Sequence, residues 1–434
     1  DVYRRSLIMV KIDDETSYTV DFFRVLGGNE HLYSIHATSN SIAETKGLNL
    51  VPQADENGNY VGSYAGADVP FGKDPNSPDA WTYYTQYPRG FSWLNNVDRA
   101  DTPEDKFEVD FEIKDFKKSI SDSRGLRLRM TMLDVQNSGV KTEVAIADGY
   151  PPQRAENKSI DKLKYVLVKK QGTNLDDLFT SVYEPYRNTR RIKDISEVEV
   201  SVVSGTESAN DRVRAICVER TNGMRDYIVY ATNNNVRYDI GGIFDFSGFV
   251  GVYTMNGDKC IYSYLNDGTV IGDKSFDKAS VTGTVADFTR EYSFDNEILM
   301  RPDNAITDSE LQSLGGRYVY IDNGDERGSA YKILKAERRG SNVALDIGDV
   351  TLIRKHVDST DDSKGYLYNI AKNKTAKIAL SASDDNAPVF NVSDDSYTTT
   401  AGNLFEITIL AVGADGEKIK YSLENAPGNA RTDS

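Results

Sequence analysis

Short runs of β-forming residues follow one another along most of the chain, and tight-turn dipeptides separate many of them. Tyr18 to Leu26, Leu126 to Leu133 and Val250 to Met255 are rich in the branched and aromatic residues that favour strands. Asn-Gly or Asp-Gly pairs, which favour hairpin turns, stand at 57–58, 222–223, 256–257, 267–268, 323–324 and 415–416. No long segment carries the apolar stripe of a helix, and only Asp308 to Leu314 predicts a short helical turn. The sequence therefore predicts an all-β protein, built as a layered antiparallel β-sandwich of several stacked sheets.

The balance of charge limits the partners that this chain can have. Its formal net charge is −16, which repels nucleic acid and anionic lipid. No apolar run reaches the length of about 18 residues that a membrane-spanning helix needs. We therefore expect no nucleic-acid partner and no membrane span. An acidic polysaccharide is still allowed, because local arginines and lysines can bind what the whole chain repels.

The length of 434 residues predicts more than one compact unit. We expect a first part of a sandwich over residues 1–203, a continuation of its sheets over 204–385, and a separate segment over 386–434. The composition changes near Ser383 to Pro388, and a fresh series of strand patterns follows. That last segment resembles the start of a cadherin-like or immunoglobulin-like repeat, and it is shorter than the roughly 100 residues of such a sandwich. We expect it to be truncated.

The stretch from Tyr18 to His36 holds two of only three histidines in the chain. It predicts a strand, a Gly27-Gly28 turn and a second strand, which together would form a hairpin. Histidine is the usual side chain for proton transfer near neutral pH, so this stretch is the first candidate for chemistry. Side chains alternate on a strand, so His31 and Tyr33 share one face and His36 lies on the other. A metal site shared by both histidines is therefore not expected.

This stretch resembles the C-terminal β-sandwich of heparinase II/III-like polysaccharide lyases. The pattern that carries the resemblance is Arg4-Arg5, then Tyr18-x-x-Asp-x-Phe-Arg-Val-x-Gly-Gly-x-x-His31-x-Tyr-x-x-His36. Supporting patterns are Gly90-Phe-Ser-Trp-Leu-x-Asn-Val97, Tyr165-Val-Leu-Val-Lys-Lys170 and Phe179-Thr-Ser-Val-Tyr-Glu-Pro-Tyr186. The resemblance covers roughly residues 1–382.

The resemblance implies both a chemistry and a partner domain. Members of that family join an α/α toroid to stacked β-sheets and cleave uronate-containing polysaccharides by β-elimination. The sandwich supplies a histidine to a cleft whose tyrosine base and Asn or His stabiliser come largely from the toroid. By match to the family's terminal histidine, His36 is the first catalytic candidate and His31 the second. Tyr33 carries the group that a base needs, although packing is the simpler explanation for this aromatic residue.

Three residues are candidates for substrate binding. Arg89 can pair in a bidentate way with a uronate carboxylate, while Trp93 and Tyr84 can stack on sugar faces. Core or surface packing is the simpler explanation for each of them. A basic run around Arg127 and Arg129 can hold a polyanion, but its alternation better fits the solvated face of a half-buried strand.

The sequence indicates no cofactor and no metal. It lacks a P-loop, a dinucleotide-binding glycine pattern and a zinc-finger spacing. Some lyase branches bind zinc with a His-x-His pair, whereas His31 and His36 are separated by four residues. Cys217 and Cys260 allow either one bridge or two buried thiols.

Two functions from different classes follow from these observations. The first is the sandwich part of a secreted or cell-surface polysaccharide lyase, inactive without the toroid, which we expect upstream in the parent protein. The second is a non-catalytic carbohydrate-binding or spacer module of a bacterial surface protein. A helical array with Asn or His and Tyr in its cleft, upstream of Asp1, would favour the lyase.

Overall fold

We describe the fold from a computed structural model of the chain. It describes residues 2–74, 77–81, 90–115, 118–150, 162–324, 328–385, 389–391 and 410–412. Strands dominate throughout, with antiparallel pairing in stacked sheets, so the predicted all-β sandwich class is confirmed. Within the described residues the one α-helix is α1 at Asp308–Ser313, where the sequence predicts a helical turn. Its start is fixed by a capping box, in which Thr307 and Glu310 satisfy each other's backbone amides.

The chain divides into two compact units, the first formed by residues 1–196 with 219–222 and the second by the remainder. Strand β14 runs from the first unit into the second. The strands that begin in the first unit are β1 Val2–Lys11, β2 Ser17–Leu26, β3 Glu30–His36, β4 Ile42–Lys46, β5 Val51–Pro52, β6 Lys73–Asp74, β7 Ser77–Trp81, β8 Leu94–Ala100, β9 Phe107–Glu112, β10 Leu126–Leu133, β11 Lys141–Gly149, β12 Leu163–Gln171, β13 Asp176–Arg187 and β14 Ile192–Val198. A 3₁₀ helix occupies Gly90–Trp93.

Two sheets face each other in the first unit. Sheet A has the order β1-β2-β13-β10-β9-β4, and sheet B has the order β3-β12-β11-β8-β5. The core between them contains aromatic, branched and methionine side chains from both sheets, among them Phe23, Phe107, Met130, Val144 and Val166. A smaller apolar cluster lies on the outer face of sheet B, where Tyr64 packs against Leu167 and Ala145. The segment between β5 and β6 supplies this tyrosine.

The described part of the second unit contains three larger sheets and two sheets of two strands each. Its strands are β15 Val200–Ser204, β16 Val213–Arg220, β17 Arg225–Ala231, β18 Arg237–Ile240, β19 Phe244–Ser247, β20 Val250–Asn256, β21 Lys259–Asn266, β22 Val270–Ile271, β23 Lys274–Ser275, β24 Ser280–Phe288, β25 Asn296–Pro302, β26 Tyr318–Asp322, β27 Gly328–Lys332, β28 Lys335–Arg339, β29 Asn342–Gly348, β30 Ile353–His356, β31 Tyr366–Tyr368, β32 Thr375–Ala379, β33 Ser381–Asp385, β34 Val389–Asn391 and β35 Leu410–Val412. Sheet C contains β16-β17-β20-β21-β33, sheet D is β15-β18-β19-β22-β23, and sheet E is β27-β26-β32-β24-β25-β29-β28. A second 3₁₀ helix occupies Asp362–Lys364.

Each part of the second unit has its own core. Sheets C and D share one apolar cluster, with Tyr227 and Val229 from one sheet and Tyr238 and Phe246 from the other. Sheet E packs one face against connecting segments, including Leu314 at the end of α1. Cys217 and Cys260 are free thiols at the edge of the first of these clusters. The predicted divisions after residues 203 and 385 stay predictions, and most of residues 386–434 lie outside the described residues.

The basic run near Arg129 differs from its prediction. Arg129 is only 5% exposed, and its guanidinium bonds Glu44, Glu108 and Asp110 at 2.6–2.7 Å. The sequence predicted a solvated face, because Arg127 and Arg129 alternate with leucine. The acidic partners come from neighbouring strands β4 and β9, which the sequence around Arg129 does not reveal.

Candidate functional site

The Gly27-Gly28 turn sends β2 and β3 into different sheets. Both glycines have positive φ, 104° and 81°, which favours glycine over other residues. Their backbone pairs with Leu175 rather than across a hairpin, with N···O distances of 2.8 and 2.9 Å. The predicted hairpin is therefore wrong, although both of its strands exist. Strand β3 pairs instead with β12, which places His36 opposite Tyr165.

Strand β3 presents its two histidines to opposite sides of sheet B. Tyr33 and Ile35 join the core between the sheets, and His31 is also buried. Leu32 packs on the outer face, and His36 is exposed there. The predicted alternation along this strand is confirmed. A shared role for His31 and His36 at one ligand would require a bend that the regular pairing with β12 does not show.

The His31 ring is engaged at both nitrogens. Its Nδ1 lies 2.6 Å from Asp177 Oδ2, and its Nε2 lies 2.6 Å from the carbonyl oxygen of Gly27. Because a carbonyl oxygen only accepts, Nε2 carries a hydrogen. Asp177 also lies 3.4 Å from Lys170 Nζ and accepts from Asn137 at 3.0 Å. These contacts favour a structural role for His31, since neither ring nitrogen is open to a ligand.

The Tyr33 hydroxyl lies in a second buried network. It donates to Asp21 Oδ2 at 2.9 Å and contacts the hydroxyl of Tyr183. Arg5 holds the same carboxylate through Nε at 3.0 Å and Nη2 at 2.6 Å. Burial, reinforced by the negative charge of Asp21, raises the pKa of Tyr33 to about 12. The phenol therefore keeps its proton at neutral pH and acts as a hydrogen-bond donor.

His36 lies at the end of β3, open to solvent beside one aromatic ring. Its ring centroid is 4.7 Å from that of Tyr165, at an interplanar angle of 38°. Gly149 makes room for this arrangement. A Cβ at Gly149 would stand 2.4 Å from Tyr165 Cε2 and 2.9 Å from Leu94 Cδ2. The tyrosine ring thus rests on the bare backbone of β11, where it supports the histidine.

Further aromatic rings follow where the 3₁₀ helix leads into β8. The aromatic group, defined as Phe71, Trp93 and Tyr150, has ring centroids 5.2 Å apart for Phe71–Trp93 and 5.5 Å apart for Phe71–Tyr150. Phe71 is 40% exposed and Tyr150 is 48% exposed. Trp93 precedes Leu94, which belongs to the outer cluster of sheet B.

Two lysines near the end of β11 are held by one buried carboxylate. Asp148, only 1% exposed, accepts from Asn96 at 2.9 Å and lies within 2.6–2.8 Å of Lys162 and Lys164. Burial opposes ionisation of Asp148, but the bonds from Asn96 and both lysines outweigh it and lower its pKa. The carboxylate stays charged and fixes both lysines at the end of β11.

The described candidate residues thus fall into three groups. His36 lies on the outer face of sheet B, Trp93 belongs to the aromatic group, and His31 and Tyr33 belong to the buried networks. Arg89 and Tyr84 lie outside the described residues. Sequence reasoning missed Phe71, Tyr150 and the contact of His36 with Tyr165. The pairing of β3 with β12 would have revealed the contact with Tyr165, because it places that residue opposite His36. Tyr165 also begins one of the patterns that carry the resemblance.

The described residues and the comparisons with known proteins add three findings. Over the described ranges, no group of three His, Cys, Asp or Glu side chains has the arrangement of a metal site. No helix there combines the length and apolarity that crossing a bilayer requires. Neither a scan against known protein families nor a search of curated proteins finds a match to this chain.

Proposed function

We propose that the chain is the β-sandwich part of a secreted or cell-surface polysaccharide lyase, and that His36 contacts a uronate-containing, glycosaminoglycan-like substrate. The observation that carries this proposal is the exposed His36 ring, supported by Tyr165 over the bare backbone of Gly149. An exposed imidazole held beside one neighbouring ring is arranged for contact with a ligand. The resemblance of the strand that carries it points to the same residue.

The reaction proposed is a β-elimination. A base removes the proton at C5 of the uronate, that electron pair forms the C4=C5 double bond, and the bond from C4 to the glycosidic oxygen breaks. The leaving oxygen takes a proton. The step needs the uronate carboxylate to be neutralised by hydrogen-bond donors, which makes the C5 proton more acidic. A His36 N–H can donate to that carboxylate, and an α/α toroid would supply the base.

The remaining candidates have supporting roles in this proposal. Trp93, with Phe71 and Tyr150, offers ring faces to the sugars on either side of the reacting unit. Arg89 and Tyr84 are proposed as further substrate contacts. His31 and Tyr33 are buried, so their role in this proposal is to position β3 and not to contact the substrate directly. The chemistry requires no cofactor.

The test compares binding and turnover in matched variants. Uronate-containing hexasaccharides from alginate, hyaluronan and heparan are offered to the chain alone and to the full-length parent protein. We expect His36→Ala to abolish the unsaturated-uronate absorbance in the parent and to weaken binding by the chain. Ser34→Ala, on the same face of β3 and exposed, serves as the control. Equal turnover by His36→Ala and the parent would refute the role of His36.

The aromatic group favours a second candidate function, a non-catalytic carbohydrate-binding or spacer module. Exposed rings such as Phe71 and Tyr150 bind sugar faces without any proton transfer. This candidate predicts that Trp93→Ala abolishes glycan binding, whereas His36→Ala leaves binding unchanged and no unsaturated product forms in the parent protein.

A further inference from the structure

A second row of aromatic rings lies at the surface of the second unit. Strands β30 and β31 pair His356 with Tyr366, and their ring centroids are 5.1 Å apart. Tyr292, from the loop between β24 and β25, places its ring 5.3 Å from that of Tyr366, at 79°. Tyr292 is 61% exposed, and Phe294 in the same loop is 88% exposed. We call His356, Tyr366 and Tyr292 the ring row.

The loop that carries Tyr292 is held in place from both sides. Tyr368 donates to the carbonyl oxygen of Arg290 at 3.2 Å, and Asn296 donates to that of Ser293 at 2.8 Å. The Arg290 guanidinium lies 4.5 Å from the centroid of the Phe288 ring. These contacts anchor the loop, so the exposed rings keep their positions without a ligand. Preorganisation of this kind lowers the entropic cost of binding.

The ring row borders an open depression. Residues from Asp287 to Ser293 line it, and its volume is about 430 Å³. Small-molecule sites generally have volumes of roughly 300–1,000 Å³. Its lining combines the ring of Tyr292 with the hydroxyl of Thr289 and the carboxylate of Glu291. Apolar surface and hydrogen-bonding groups therefore alternate within a few residues.

We propose that the ring row and this depression bind an uncharged pyranose chain. A pyranose has flat C–H faces that cover aromatic rings, and its edges carry hydroxyls that need donors and acceptors. Phenols, an imidazole and a carboxylate supply both kinds of contact here. The cations at this surface are already paired with carboxylates. Arg290 lies 3.0 Å from Asp287, and Lys364 lies 2.6 Å from Asp358. His356 Nδ1 lies 3.0 Å from Asp362. A polyuronate would gain little from cations that are already paired, so the ligand differs in charge from that of the first unit.

The inference does not rest on the proposed lyase activity, because none of these residues belongs to the first unit. Calorimetric titration with cellohexaose, chitohexaose and mannohexaose tests it directly, with an alginate hexasaccharide as the charged comparison. We expect the whole chain to bind at least one uncharged hexasaccharide. Tyr292→Ala and Tyr366→Ala should each weaken that binding about tenfold, through loss of one aromatic contact.

Two controls separate this site from a general change of the surface. Tyr292→Phe keeps the ring and should retain most of the affinity. Phe276→Ala removes another exposed ring, 38% accessible, and should leave binding unchanged, as should His36→Ala. Failure of the chain to bind any of the three uncharged hexasaccharides would overturn the proposal. The proposal would also be overturned if Tyr292→Ala bound the uncharged hexasaccharide as tightly as the unsubstituted chain does. Tighter binding of the alginate hexasaccharide than of the uncharged ones at the ring row would overturn it as well.

Discussion

The two faces of strand β3 place the same type of side chain in opposite surroundings. His31, on the inner face, is 4% exposed and has an acceptor at each ring nitrogen. His36, five positions later on the outer face, is exposed and has its ring beside that of Tyr165. The difference arises from the alternation of side chains along a strand. A histidine count therefore says little about function until the strand has been assigned its faces.

The comparison also separates stability from binding. Polar groups on the inner face are costly to leave without partners, because water cannot replace a lost contact there. The outer face allows a side chain to be removed at little cost to the fold. Substitutions on the two sides should therefore differ in kind: inner ones change the free energy of unfolding, and outer ones change ligand affinity.

The largest effect is expected at Asp177, the acceptor for His31. Asp177→Asn leaves Lys170, which is 2% exposed, without its charged partner. Breaking a buried pair of this kind costs about 3–5 kcal/mol of the free energy of unfolding. Chemical denaturation measures the loss. Asp14→Asn, which breaks an exposed ion pair with Lys11, is the control and should cause no measurable change. A small effect of Asp177→Asn would mean that the two faces do not differ as described.

Gly149→Ala should lower the free energy of unfolding, although it changes the outer face of sheet B. The new Cβ would stand 2.4 Å from Tyr165 Cε2, so the ring must move away from its place beside His36. We expect a loss of about 1–3 kcal/mol in the free energy of unfolding, as for overpacked sites, together with weaker binding of uronate hexasaccharides. Gly328→Ala, where a Cβ would meet nothing within 4 Å, is the matched control. Unchanged binding by Gly149→Ala would show that Tyr165 does not support the site.

A smaller effect is expected at the Tyr33 hydroxyl. Because its folded-state pKa, about 12, exceeds the ordinary value of 10.0, Tyr33 stabilises the fold fully below pH 10. That contribution is lost as the pH rises towards 12, since the unfolded chain ionises first. Tyr33→Phe should cost about 1 kcal/mol at neutral pH and flatten the alkaline decline of unfolding free energy. Tyr3→Phe, at a residue 82% exposed, should keep the wild-type profile.

Much of the fold could be predicted because strand signals are local. The run from Leu126 to Leu133 matches β10, and the helical turn at Asp308 appears as α1. The assignment of strands to sheets could not be predicted, since it depends on partners far apart in the chain. Positive φ at Gly27 and Gly28 suits a hairpin as well as a crossing between sheets, and only the pairing of β3 with β12 decides between them.

The candidate site shows the same limit. The alternation of side chains along a strand is enough to predict that His36 lies on the face opposite His31 and Tyr33. The ring beside His36 is Tyr165 of β12. Its position depends on the register of β12 with β3 and β11, and on the absence of a side chain at Gly149 of β11. The ring row combines Tyr292, from the loop between β24 and β25, with residues of β30 and β31, and these segments carry no common pattern. Contacts between distant segments of this kind are fixed by packing, which a single sequence does not display.

The central claim is that His36, and not His31, meets a uronate ligand. The chain has only 3 histidines, so their ring Cε1–H signals can be followed individually by NMR and assigned with His36→Ala and His356→Ala. Titration with an alginate or hyaluronan hexasaccharide should shift the His36 signal in a saturable way and leave those of His31 and His356 in place. A His36 signal that stays unmoved while the oligosaccharide binds would contradict the account.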